Sequence, residues 1–503
     1  MKKLFLFIGV LSMSFLSAQD LTDALRYSQQ DILGTARYRG MSGAFGALGG
    51  DISALHINPA GSAVFANSSG SLTLSNASID NEASYFNDLT TTSSSNFNLN
   101  QLGTVFVYDS YNEASLLNKI SFGVTYDQTT DNVDSFTAFG RSTNSIDSYF
   151  LSEAQGVPLD LITRRSGESN SSLYNFLGNS EGYGTQQAFL GHESLLIEAN
   201  DLNDLDNTSY FSNVASGSFD QEYYYESTGL NGKFSVNLGA QIHNDFFIGV
   251  NINSHFINYD RTTDFLEFNN NAGSYINEVV FSNTLSTIGA GFSAQIGMIA
   301  KVSEMFRLGI SLESPTWYSI QEETTQAIET FSNADGEFLV APNVINIFPE
   351  YELKTPAKAT GSAAILFGQR GLISIDYSYK DYSTTEFSSF EGIDFSNQNE
   401  AITNNLQGAS TIKIGGELRN GNWSFRTGGS YVESPYKNDQ ILSDTVGLSF
   451  GIGYNFGKAR FDVAYDTSYQ ERSDQFFPNS GFSNAVAIDS YRDNLTFTLG
   501  LNL

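Results

Sequence analysis

The feature that most constrains this chain is a period-two alternation of polarity that persists for the length of a membrane-spanning strand. In the final segment Leu495, Phe497, Leu499, Leu501 and Leu503 share one face of an extended backbone, and Thr496, Thr498, Gly500 and Asn502 share the other. Upstream, Val446, Leu448, Phe450, Ile452, Tyr454 and Phe456 alternate with Gly447, Ser449, Gly451, Gly453 and Asn455, small partners that suit a crowded or ligand-lined interior. Successive side chains of a strand point to opposite faces. A run of about ten such residues crosses a bilayer with one face on lipid and the other on a lumen. The pattern recurs at Phe234, Val236, Leu238, Ala240 and Ile242, and after His243-Asn244-Asp245 at Phe246, Ile248, Val250 and Ile252. Short turns at Gly368-Gln369-Arg370-Gly371, Arg419-Asn420-Gly421-Asn422 and Asn455-Phe456-Gly457-Lys458 separate such runs as hairpin turns do. The runs predict an all-β fold, a transmembrane antiparallel β-barrel of about 14 strands beginning near Ser69.

Composition agrees with a barrel in a membrane. No segment after the N-terminus has the roughly 18 consecutive apolar residues of a membrane helix. Mean hydropathy is only -0.20, as expected where half of each strand faces water. Forty Phe, 26 Tyr and 45 Gly against five Met and eight Pro fit aromatic girdles and tight turns. The absence of Cys excludes disulfides, a lipoprotein anchor and thiolate metal sites. With 25 basic and 55 acidic residues the formal charge is -30, which argues against nucleic acid as a partner. The acids either decorate solvent-facing loops or bind cations.

Met1-Lys2-Lys3, the apolar run from Leu4 to Leu16 and the small pair Ser17-Ala18 read as a secretory signal peptide over residues 1–18, expected to be removed. Residues 19–68 read as a compact plug and 69–503 as the barrel, with a long extracellular insertion near 127–220. That insertion is acidic and rich in Ser and Asn, yet holds apolar clusters at Tyr149-Phe150-Leu151, Leu159-Asp160-Leu161-Ile162 and Leu195-Leu196-Ile197, which a disordered loop would not need. Short helices are expected there, forming either an outward-facing apolar groove or a cover over the barrel mouth. The stretch Glu322 to Pro349 also breaks the strand pattern and is less apolar.

The glycine-rich run from Arg37 through Gly43-Ala44-Phe45-Gly46-Ala47-Leu48-Gly49-Gly50 to Asp51, followed by Asn58-Pro59-Ala60-Gly61, is unlike a strand. Here the chain resembles the outer-membrane long-chain fatty-acid transporter family of FadL/TodX type, whose N-terminal hatch has a Gly-Ala-rich run, an acidic residue and then Asn-Pro-Ala-Gly. Thr355-Pro356-Ala357 leading to Ile375-Asp376-Tyr377, Ile414-Gly415-Gly416-Glu417, Arg426 to Tyr431 with Ser434-Pro435, and Val463-Ala464-Tyr465 extend the resemblance over nearly the whole mature chain. It departs at the C-terminus, Leu503, where the family often has an aromatic residue read by the barrel assembly machinery. The insertion carries no alignable motif, so the family's carboxylate-binding residues cannot be transferred.

The resemblance implies a 14-strand barrel in the bacterial outer membrane, surrounded by lipid and lipopolysaccharide, plugged by the hatch and acting as a monomer. It implies passive uptake of hydrophobic compounds such as long-chain fatty acids, captured at a loop groove, held beside the hatch and released sideways at a kinked strand. Gly123 is either that kink or plain packing. Asp51, Asn58, Pro59, Ala60 and Gly61 form the hatch motif, in which Asn58 and Pro59 either hold the hatch's shape or gate it. Phe45, Leu48 and Phe65 either line the substrate pocket or belong to the hatch core. Arg37 and Arg39 either pair with a substrate carboxylate or neutralise acids of the barrel wall.

An enzyme is not indicated: His56, His192, His243 and His255 lie in hatch, loop, turn and strand, with no nucleophile and base to pair. Gly43 to Gly49 lacks the preceding strand and following Lys-Ser or Lys-Thr of a phosphate loop. No cofactor is expected. The competing readings are a haem receptor using His56 or His192 as axial ligand, and a general porin or adhesin.

Overall fold

A computed structural model describes residues 21–110, 116–390, 392–478 and 480–503. The expected signal peptide lies outside the described residues. The strands close into an antiparallel barrel of 14 staves, the first pairing with both the second and the last. Closure leaves no unpaired edge, the condition for strands to cross hydrocarbon. The first strand, Ser69–Tyr85, pairs with Asp88–Asp109; the third stave is Leu117–Asp131 continued by Asp134–Ser142. The longest staves are Phe219–Ile242, Phe246–Phe268 and Glu278–Lys301, and the last is Ala485–Asn502.

Alternation sorts the side chains as the sequence predicts. Phe234, Val236, Leu238, Ile248, Val250, Ile296, Ile310, Ile375, Ile414, Leu448, Phe450 and Leu499 stand on the outside, while Ser235, Asn237, Asn251, Gln295, Ser311, Asp376, Ser449, Thr496 and Thr498 are buried inside. The outer face is a lipid-facing apolar band, and the inner face is polar. Among the described residues no helix is long and apolar enough to cross a membrane. The turns at the chain-end side of the barrel are short; Gly421 and Gly457 take positive φ there, +60° and +94°, a conformation that glycine adopts without penalty.

Two boundaries differ from the sequence reading. The strands run past the membrane-facing band, so Asp127–Ser142 and residues 322–332 are wall, and the excursion between staves is residues 143–218. Their outer parts alternate polar residues on both faces, which erases the lipid-face signal that marks a strand in sequence. Within the excursion, helices Asp147–Ala154, Leu159–Ile162, Asn170–Ser180 and Tyr183–Glu193 form a cap over the mouth. Tyr149, Phe150, Leu159, Ile162, Leu196 and Ile197 are buried in one core with Tyr85, Phe136, Tyr223, Phe265, Phe281, Phe477 and Phe482 of the upper barrel and its loops. Of the two arrangements open from the sequence, a groove or a cover over the mouth, these clusters build the cover. Apolar groups bury against the nearest apolar surface, and here that is the aromatic inner rim of the barrel.

Candidate functional site

The hatch is a coil of short helical turns whose polar side chains close its own backbone. Asp51 caps the turn Ile52–His56, accepting from Ser53 N at 3.1 Å and from Thr35 Oγ1 at 2.7 Å. Asn58 caps Pro59–Val64, accepting from Ala60 N at 3.1 Å, and its Nδ2 donates to Gly46 O at 2.8 Å and to Met298 O of the wall at 3.0 Å. Pro59 at the first helical position needs no N–H partner. Gly61 lies against Gly49, where a Cβ would come within 3.3 Å of the Gly49 Cα. The motif thus sets the hatch's shape and, through Asn58, ties it to the wall.

The wall is carved to receive it. A Cβ on Gly249 would lie 2.4 Å from the Pro59 carbonyl, and one on Gly297 would lie 2.0 Å from Asn58 Oδ1. Gly309, Gly415, Gly428 and Gly451 meet Gly46, Met41, Met41 with Ser42, and Gly40 in the same way. The small alternating partners noted in sequence are therefore, at Gly451, a seat for the hatch. Asp376 accepts from the amides of Phe45 and Gly46, both at 2.9 Å.

Of the residues singled out in sequence, Phe45 and Leu48 pack with Tyr38, Met41, Ala54 and Ile57 in the hatch core, and Phe65 packs with Ile52, Leu55 and Val105. Arg37 pairs with Glu417 at 2.9 Å and approaches Asp51 at 3.9 Å. Arg39 pairs with Asp466 at 2.7 Å and borders the cavity described next. His56 meets Asp127 at 2.5 Å; His192 is in the cap helix Tyr183–Glu193. Gly123 packs against Leu55, which a Cβ would meet at 3.2 Å.

Beside the hatch lies a cavity of about 280 Å³. Ile32, Leu33, Ile57, Ile79, Val133 and Val432 give it apolar patches, and Lys233, Lys358, Lys380 and Lys413 stand on its polar side. It reaches the wall at Ser94, Asn96, Gln128 and Asp131, where the barrel is peculiar. The backbone ladder between the second and third staves runs only from Gln101↔Asp127 to Asp109↔Lys119. Beyond it the two strands are joined by side chains: Asn96 and Asn98 donate to the two oxygens of Asp131 at 3.0 and 2.8 Å, and Asn100 donates to Gln128 at 2.9 Å. The third stave is irregular at Gln128/Thr130 and breaks between Asp131 and Asp134. Sequence reasoning placed the kink candidate at Gly123; the discontinuity lies several residues later, in a run of Asp, Gln, Thr and Asn whose pairing role only the neighbouring strand reveals.

Solved structures of the same fold exist. A FadL homologue of Pseudomonas aeruginosa aligns over 94% of this chain and 99% of its own with TM-score 0.54 and 11% identity. The toluene transporter TodX of Pseudomonas putida aligns over 95% and 100% with TM-score 0.50 and 13% identity. No family model and no curated protein matches the sequence. The chain has the barrel-and-hatch fold that its N-terminal motif led us to expect.

Proposed function

We propose that this barrel sits in the bacterial outer membrane and takes up hydrophobic or amphiphilic small molecules, which rest in the cavity beside the hatch and leave sideways between the second and third staves. The observation that supports this reading is the coincidence of the cavity with the one stretch of wall, among the described residues, where side chains replace the backbone ladder. Side-chain bridges at a strand interface part without unravelling a ladder, and a lateral exit delivers an apolar solute to the bilayer instead of to water. The fold is that of a transporter of toluene and of a FadL homologue. The cap covers the axial mouth, so first contact falls on its outer surface, where Phe176, Leu202, Leu205 and Phe211 are exposed. All staves pair within one chain, which suits a monomer. The test exploits the absence of cysteine: in the double variant Asn98→Cys/Asp131→Cys, oxidation should stop uptake of labelled oleate or toluene into cells and reduction should restore it. Undiminished uptake with the crosslink formed would refute lateral exit.

A further inference from the structure

The bridge across the gap has a charged alternative on the cavity side. Asp131 is buried, and its two oxygens accept from neutral groups, Asn96 and Asn98 of the second stave at 3.0 and 2.8 Å and its neighbour Val133 N at 3.2 Å. Hydrogen bonds from amides leave the carboxylate its charge. Arg492 of the last stave borders the same cavity, is half-buried, and has no hydrogen-bond or ion-pair partner among the described residues. It attracts Asp131 across the cavity without touching it. Asp31 of the hatch accepts the Asp131 amide at 3.1 Å and adds its charge on the same side. The remaining acids on the cavity are engaged elsewhere: Asp466 holds Arg39 and Asn494, Asp127 meets His56, and Glu433 accepts the Ser410 amide. An unpaired guanidinium inside a barrel is costly, so pairing with a carboxylate within its reach is favoured.

The reach from one side of the closure to the other is already spanned one level further out. Arg472, on the stave Ala459–Gln475 beside the last one, donates to Asp134 Oδ2 at 2.8 Å, while Asn81 of the first stave donates to Asp134 Oδ1 at 2.6 Å. The third stave, broken between Asp131 and Asp134, therefore leans inward over the first and meets the staves at the chain's end. Arg472 lies opposite Ile488 of the last stave. Arg492 follows Ile488 by four residues, as Asp131 precedes Asp134 by three. Both steps run toward the hatch, which meets these staves at Thr498 and Asp127. Arg492 and Asp131 thus repeat Arg472 and Asp134 one level down, with the pair unmade.

We propose that Arg492 releases the lateral gap: when Asp131 turns from Asn96 and Asn98 to Arg492, the side-chain bridges between the second and third staves are undone and the wall parts. A guanidinium offers a planar fork of donors, so one partner satisfies both carboxylate oxygens that two asparagines held. Asp131 ends its strand, with Asn132 and Val133 outside any strand, so its side chain turns without unzipping a ladder. The gap then has two discrete arrangements, shut on the asparagines and open on the arginine, and their balance sets the rate of uptake. The proposal rests on the reading of lateral exit and names the residue that regulates it.

The test is uptake of labelled oleate by cells carrying the full chain, with barrel folding read by heat-modified gel mobility. Arg492→Gln should lower uptake about tenfold, because the open arrangement loses its partner. Adding Asn96→Ala/Asn98→Ala to that variant should bring uptake back near the native rate, since no bridge is left to release. If R492Q does not fold, Arg492→Lys, which keeps the charge and loses the fork, takes its place with a severalfold loss and the same rescue. Native uptake in the folded Arg492 variant overturns the proposal. So does a triple variant as slow as R492Q, the behaviour of an arginine that contacts cargo, because removing the bridges cannot replace such a contact. Lateral exit is judged separately: it fails if the oxidised Asn98→Cys/Asp131→Cys crosslink leaves uptake undiminished, whereas a crosslink that stops uptake beside a fully active R492Q sinks the release alone.

Discussion

Arg37 Nε of the hatch donates to Glu417 Oε2 of the wall at 2.9 Å, and the same carboxylate also takes Arg426 at 2.7 Å, Arg460 at 3.7 Å and Arg419. One buried acid therefore holds four guanidinium groups, one of them from the plug, and Arg426 and Arg460 are shared with Asp462. Breaking a buried pair from one side is costly because the remaining charges lose compensation, typically about 3–5 kcal/mol.

Glu417→Gln should accordingly loosen the hatch. In planar bilayers the native protein is expected to be nearly silent to small ions, and the variant to show frequent channel openings. Arg37→Met should do the same more weakly, since it removes a single partner. A silent E417Q that is correctly folded would show that the hatch is held by other contacts.

The glycine seat makes a separate claim. At Gly297 a Cβ would lie 2.0 Å from Asn58 Oδ1, an atom fixed by its cap on Ala60 N. Gly297→Val should displace the Asn58 turn, while Gly361→Val, where nothing lies within 4 Å of the Cβ, should be tolerated. Heat-modified gel mobility reads barrel folding, and proteolysis within residues 37–61 reads hatch seating. The G297V barrel is expected to fold with a cleavable hatch.

The cap depends on its aromatic core. The Phe477 ring lies 4.9 Å from Tyr149, 5.6 Å from Phe265 and 5.9 Å from Phe281. Phe477→Ala should cost about 3–5 kcal/mol of cap stability with little effect on the barrel. Added protease on intact cells should then cut within residues 143–218, which the native protein resists.

The cap should also loosen in acid. Burial, above all, holds the His192 imidazole below its ordinary value of 6.5, against the opposite pull of Glu193 and Glu198. A group whose folded pKa is depressed binds more protons when unfolded, so its contribution is complete above about pH 6.5 and is lost as pH falls below that value. Glu153, raised by burial, works in the other direction, so the variant His192→Gln isolates the histidine. Hydrogen exchange in the helix Tyr183–Glu193 should accelerate between pH 7.5 and pH 5 in the native chain and change less in H192Q.

Period-two alternation determined the barrel before any coordinates, because a strand with one face on lipid must place an apolar residue at every second position, as Leu495 to Leu503 and Val446 to Phe456 do. The short turns were legible for a related reason: Gly421 and Gly457 mark backbone that other residues adopt only with strain. Asp51 and Asn58-Pro59-Ala60-Gly61 announced a folded hatch, since local capping is written in neighbouring residues. Tertiary structure alone decided the rest. Whether Phe45 lines a pocket or packs in a core, and whether Phe150 faces outward or into the barrel rim, depends on which surface closure brings opposite. Lys233, Lys358, Lys380 and Lys413 are ordinary strand residues in sequence, Asp131 reads as part of the polar insertion near 127–220, and Asn96 and Asn98 carry no signal of a gap. Register across neighbouring staves brings the lysines around one cavity and sets the asparagines where the ladder stops, and register is a property of pairs of strands that no single segment encodes.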